Sequence, residues 1–138
     1  MNYIFPIAWL LGVAILIDEM TMGFQGRHQD KKRITYKAEG EGFQADALAD
    51  EGYCYQFYMQ NDPQPFQYRA LSALHARVMA LFDTLKDKYH HIGFDNLYNS
   101  AMFCQTAFMH PMKVLVHGVT RKGGRGIPSC VAQQELTN

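Results

Sequence analysis

The sequence predicts a mixed α/β sheet, antiparallel on one side and parallel on the other. Two observations predict it. Three strand-like stretches come first in hairpin order, and after an amphipathic helix the pattern alternates strand, helix, strand. The 138 residues, 48% apolar and 13% aromatic, suit one domain with a single core, and a charged content of 19% is too low for a disordered chain. Lys plus Arg number 13 and Asp plus Glu number 13, so whole-chain charge names no partner. Cys54, Cys104 and Cys130 are odd in number and form no CxxC, which excludes a disulfide framework and a cysteine-rich zinc site. Free thiols in a reducing compartment are the plain reading.

Taken in order, residues 3–17 carry no charge but contain Pro6 and Gly12, and the run stops at Asp18 and Glu19. A membrane span needs about 20 apolar residues, and a signal peptide needs a basic start and a small-residue cleavage site. No membrane partner is expected, and an anchor through residues 3–17 is the weaker alternative. Residues 12–17 are short, branched and unalternating, as in a central strand buried on both faces. Its neighbours should be the second and fourth strands, with Leu16 buried.

A polar loop follows. Ile34, Tyr36 and Ala38 then alternate, Gly40 and Gly42 interrupt in the manner of a bulge, and Phe43, Ala45 and Ala47 continue the second strand. The turn Asp50-Glu-Gly52 leads to a third strand through Tyr53, Tyr55, Phe57 and Met59. Leu71, Leu74, Val78, Leu81, Phe82, Leu85 and Tyr89 recur at steps of three and four, with Arg77, Asp83, Lys86 and Asp87 between them. This spacing predicts a helix of about five turns with a solvated polar face, and Ser72 is placed to cap it. Residues 91–94 form a fourth strand, 99–110 a second helix ending before Pro111, and 114–116 a fifth strand. His90 and His91 should point to opposite faces of the sheet. The whole chain reads as one domain, with residues 120–138 as a flexible tail.

In such sheets ligands gather at the C-terminal ends of the parallel strands. Asp18 closes the first strand and Asp95 the fourth. Taken alone, each is more often a turn-former or helix cap than a ligand. Together, on strands about 4.8 Å apart, their carboxylates should approach within about 8 Å and reach one hard cation. Glu19 would face the other way. Two groups of cations are candidate phosphate contacts: Arg27, Lys31, Lys32, Arg33 and Lys37, and then Arg121, Lys122 and Arg125. Gly123-Gly-Arg-Gly126 lacks the ending of a phosphate-binding P-loop.

Ile17-Asp-Glu-Met-Thr-Met-Gly-Phe-Gln-Gly-Arg-His28 resembles the first catalytic motif of piggyBac-type transposases. Lys37-Ala-Glu-Gly-Glu-Gly-Phe43, Gly93-Phe-Asp-Asn-Leu-Tyr-Asn-Ser100 and Val116-His-Gly-Val-Thr-Arg-Lys-Gly-Gly-Arg-Gly-Ile-Pro128 follow in the family's order. The resemblance implies an RNase-H-like fold, with Asp18 and Asp95 as two members of an acidic triad that binds Mg²⁺ or Mn²⁺. It implies DNA as the partner, a second copy of the chain as a candidate partner, and the nucleus as the compartment. The implied chemistry is strand cleavage by water at transposon ends, then attack of the freed 3′-hydroxyl on target DNA. The family's third carboxylate comes from a helix well downstream, whereas here only Glu135 follows, without a motif around it. The expectation is therefore a fragment or relic of the catalytic domain, inactive alone. The alternative is a non-enzymatic remnant that binds DNA or a protein.

Overall fold

In the computed structural model, which describes residues 10–35 and 40–120, the described residues form six strands and two α-helices, with a short 3-10 turn at Phe66–Tyr68. They are β1 (Ala14–Gly23), β2 (Lys32–Arg33), β3 (Glu41–Asp50), β4 (Tyr53–Met59), α1 (Ala73–Phe82), β5 (His91–Phe94), α2 (Ala101–Met109) and β6 (Leu115–Gly118). One sheet contains all six strands in the order β2–β3–β1–β5–β6, with β4 also paired to β3. β1 is antiparallel to β3 and parallel to β5, and β5 is parallel to β6. This is the mixed RNase-H-like sheet that the sequence predicts, with the first strand between the second and fourth as expected and the short β2 as an addition.

Local chemistry accounts for most of the boundaries. Glu51 (φ 47°) and Gly52 (φ 83°) are the two residues between β3 and β4, and positive φ at both matches the twist of a tight hairpin. Ser72 caps α1 by accepting from the His75 N–H at 3.3 Å, and Ser100 caps α2 by accepting from the Phe103 N–H at 3.2 Å. Both helices pack on one face of the sheet. There Ile15, Ile17, Leu48 and Ile92 meet Val78, Leu81, Phe82, Phe103 and Ala107.

Several expectations are corrected. The first strand does not close at Asp18 but continues to Gly23; only its parallel pairing with β5 ends at Ile17. Leu16 is not buried: it is 58% exposed, while Ile15 and Ile17 are buried. Among the described residues the helices cover one face, so the apolar start of β1 alternates in burial instead of being buried on both sides. Leu16→Asp is accordingly expected to fold, with a melting temperature within a few degrees of the parent's, whereas Ile17→Asp buries an unpaired charge and should abolish the transition. Circular dichroism melts of the two variants check this.

The second strand starts later than expected: β2 lies before Ile34, the Ile34 N–H donates to the Gly40 carbonyl at 2.6 Å, and β3 begins at Glu41. Tyr36 and Ala38 lie outside the described residues. The register shift falls between Leu48 and Ala49, not at Gly40 and Gly42. α1 stops at Phe82, short of the five turns predicted. The Thr84 hydroxyl donates to the Leu81 carbonyl at 2.7 Å, competing with the helix ladder, and Tyr89 adopts φ 65°. Leu85 stays buried although it has left the helix. Arg77, expected on the solvated face, is buried at 8% exposure because it meets a buried acid.

Candidate functional site

Parallel register brings the two candidate acids together. Leu16 pairs with Gly93 and Ile17 with Phe94, so Asp18 and Asp95 are the next residues on adjacent strands. Both line one open groove of about 670 Å³ with Leu16, Gly93, Phe94, His117 and Val119. Gly93 keeps the floor low: a Cβ there would lie 2.8 Å from Leu16 Cδ2 and 3.1 Å from His117 Nε2. Asp18 Oδ1 accepts from the Glu19 N–H at 2.7 Å, and Asp95 Oδ1 accepts from the Leu97 N–H at 2.8 Å. Each carboxylate is thus anchored through one oxygen by a neighbouring backbone amide. Hard oxygen donors of this kind suit Mg²⁺ or Mn²⁺ better than a soft metal. Among the described residues no group of three His, Cys, Asp or Glu side chains is close enough to hold a metal ion.

Glu19 faces the opposite side, as strand alternation requires, and its Oε1 accepts from Gln60 Nε2 at 3.3 Å. Beneath the sheet lies a polar cluster that sequence reasoning missed. Asp46 on β3 is fully buried and accepts from Arg77 Nε, from the Tyr98 hydroxyl at 2.9 Å and from Gln60 Nε2 at 3.4 Å. Burial, with the Asp46 charge beside it, pushes the Tyr98 phenol far above its ordinary range. His75 Nε2 donates to the Tyr98 carbonyl at 3.0 Å, and burial lowers the His75 imidazole below its usual value. The available signal was a charged residue within an alternating strand at a position that β-pairing turns inward. Local pattern gives no such direction.

Four of the basic candidates gather elsewhere. Arg27, Lys31, Lys32 and Arg33 line a shallow pocket of about 280 Å³ with Gly26, His28 and Glu41. Glu41 answers two of these charges: Lys31 Nζ lies 2.7 Å and Arg33 Nε 3.6 Å from its carboxylate. The hydrogen bond from Lys31 holds the Glu41 carboxyl below the ordinary carboxylate range. Lys32 Nζ donates to Gln60 Oε1 at 3.1 Å. Lys37, Arg121, Lys122, Arg125 and Glu135, like the tail expected at 120–138 beyond its first residue, lie outside the described residues. His90 is buried with Nδ1 2.9 Å from the Gly12 carbonyl, whereas His91 is exposed, so the two histidines do face apart. Cys54 and Cys104 are free thiols.

Comparison with known families places this groove in context. The Transposase IS4 family matches the chain over residues 4–138. The chain belongs to that transposase family. Among solved structures, the cryo-EM structure of the piggyBac transposase synaptic complex with hairpin DNA shares the fold, at a TM-score of 0.76 and 21% identity. That match covers 94% of this chain and 27% of the other, so the chain spans about a quarter of the length of its structural relative. No curated protein matches the sequence. Family membership and fold therefore agree with the resemblance carried by the Ile17–His28 and Gly93–Ser100 stretches. Among the described residues no helix is long and apolar enough to cross a membrane.

Proposed function

We propose that this chain is a transposase-derived catalytic segment whose Asp18 and Asp95 hold a divalent cation beside a DNA phosphodiester. The observation that carries the reading is the shared groove: the two acids follow paired residues of adjacent parallel strands and line one opening. When bound, Mg²⁺ or Mn²⁺ would lower the pKa of an attacking water or 3′-hydroxyl and offset charge on the leaving oxygen. Asp18 and Asp95 would each offer the cation a carboxylate, steadied through Oδ1 by a backbone amide. Leu16 and the low floor at Gly93 leave room for an extended strand of DNA. Arg27 and Lys32 are the cations of the basic pocket that Glu41 does not answer, and they suit sequence-independent phosphate contacts. In this reading Lys31 and Arg33 support the pocket, and Lys37, Arg121, Lys122 and Arg125, which lie outside the described residues, are proposed from the sequence as further phosphate contacts.

Two carboxylates leave most of an octahedral shell to water, so binding of Mg²⁺ or Mn²⁺ should be weak and the chain alone should not cut or join DNA. A misplacement of about 1 Å costs on the order of a hundredfold in rate, and a cation held by two ligands is not fixed to that tolerance. The reading places the chain in the nucleus, with DNA as its partner and a homodimer as its assembly. Mn²⁺ titration of the parent, Asp18→Asn and Asp95→Asn, followed by electron paramagnetic resonance, tests it. Either substitution should weaken binding at least roughly tenfold. Unchanged affinity in both variants would overturn the metal assignment. Incubation with labelled duplex and Mn²⁺ should leave the strand intact, and cleavage that disappears in Asp95→Asn would show instead a complete active site.

A further inference from the structure

We propose that Asp46 is a positioning residue for both groove acids, acting from the opposite face of the sheet. Two hydrogen-bonded arms leave its carboxylate. One runs through the Tyr98 hydroxyl at 2.9 Å to the turn that starts at Asp95. The other runs through Gln60 Nε2, which lies 3.4 Å from Asp46 Oδ1 and 3.3 Å from Glu19 Oε1, to the residue after Asp18. Glu19 and Asp46 are themselves directly opposed in the β1–β3 register.

The geometry makes these arms rigid. Asp46 and Tyr98 are both fully buried, and Arg77 on α1 supplies the charge that Asp46 needs inside the core. Tyr98 is held at two points, its hydroxyl by Asp46 and its carbonyl by His75. The Asp95–Leu97 hydrogen bond therefore closes a turn whose far end is buried and held at both points. The neighbouring Asn99 side chain donates to the Val119 carbonyl at 3.0 Å, tying the same segment to the groove's other wall. On β1 the Glu19 N–H bonds Asp18 Oδ1 while the Glu19 side chain is held below. Supporting partners of this kind orient metal ligands, and losing one commonly weakens metal affinity by about 10–100-fold.

The inference rests on the metal-binding reading of Asp18 and Asp95, and the test separates the two. Tyr98→Phe removes one hydroxyl and keeps the buried ring; Gln60→Ala cuts the other arm at a residue outside the core. Each variant is measured for Mn²⁺ affinity and for amide hydrogen exchange at Leu97 and Glu19, with buried Ile92 as reference. Tyr98→Phe should weaken Mn²⁺ roughly tenfold and speed exchange at Leu97 by a similar factor while Ile92 changes less than about twofold. Gln60→Ala should do the same at Glu19. Exchange that rises equally at Leu97, Glu19 and Ile92 would show a general loss of stability and overturn the proposal, as would no rise at either amide. If the parent and Asp95→Asn bind Mn²⁺ alike, the metal reading fails, and the selective exchange at Leu97 and Glu19 alone decides this one. Should Tyr98→Phe not fold, Gln60→Ala decides it through Glu19.

Discussion

Arg77→Ala is expected to lower unfolding free energy by about 3–5 kcal/mol, the usual cost of breaking one side of a buried ion pair. Arg77 is 8% exposed and Asp46 fully buried, so neither charge has water to fall back on once its partner goes. The loss should exceed that of any exposed pair here: Arg33–Glu41, with the Arg33 side chain 76% exposed, should register under about 1 kcal/mol. Replacing both members, as Asp46→Leu with Arg77→Met, removes the charges together and should recover most of the loss. Urea denaturation of Arg77→Ala, of Arg33→Ala and of the double variant measures it. A cost below about 1 kcal/mol for Arg77→Ala would mean that the cluster is hydrated.

Gly118→Ala should cost at least about 3 kcal/mol, beyond ordinary overpacking, because the obstacle is backbone. A Cβ on Gly118 would lie 2.2 Å from the Phe94 carbonyl oxygen and 3.1 Å from Phe94 Cδ2. Phe94 and Gly118 are paired at the end of the β5–β6 ladder, one residue before Asp95. Either β6 moves away or the end of β5 is pushed, and the second choice displaces Asp95. Denaturant unfolding with Mn²⁺ titration on the same sample checks both consequences. A cost under about 1 kcal/mol with unchanged Mn²⁺ binding would show that β6 can retreat freely.

What the sequence made legible depends on how local the cause was. The third strand, residues 53–59, was readable because its alternation and the turn before it are contained in ten residues. Ser72 was readable as a cap for the same reason. The exposure of Leu16 was not: an apolar run looks identical whether helices cover one face of a sheet or two. The early end of α1 was hidden because Leu85 keeps its place in the apolar period after the chain has left the helix. Asp18 and Asp95 stood out as acids near strand ends, but their common groove comes from a register joining Ala14 to His91 across the chain. Glu41 taking up Lys31 and Arg33 reduced a run of cations to a smaller free set, and charge counting cannot see such pairing. Asp46 was read only as part of a strand, because its partners Arg77 and Tyr98 are 31 and 52 residues away.

The seam between β1 and β5 has a consequence for the order of assembly. The β3–β4 hairpin closes over Glu51 and Gly52, and β1 joins it through eight opposed residue pairs that are closer in sequence than those of β1 with β5. β5 joins by only four pairs, Ala14–Ile17 with His91–Phe94, after a long loop has closed. Long loops lose more entropy on closure and form their contacts later, so the antiparallel half is expected to form early and the parallel half late. Asp18 belongs to the first half and Asp95 to the second. A cation bridging them, as proposed above, would then be a clasp across the last joint to form: it would bind only the docked state, and each increment of occupancy would favour docking by mass action. On that reading the groove would be a latch on folding, set at a seam of four residue pairs.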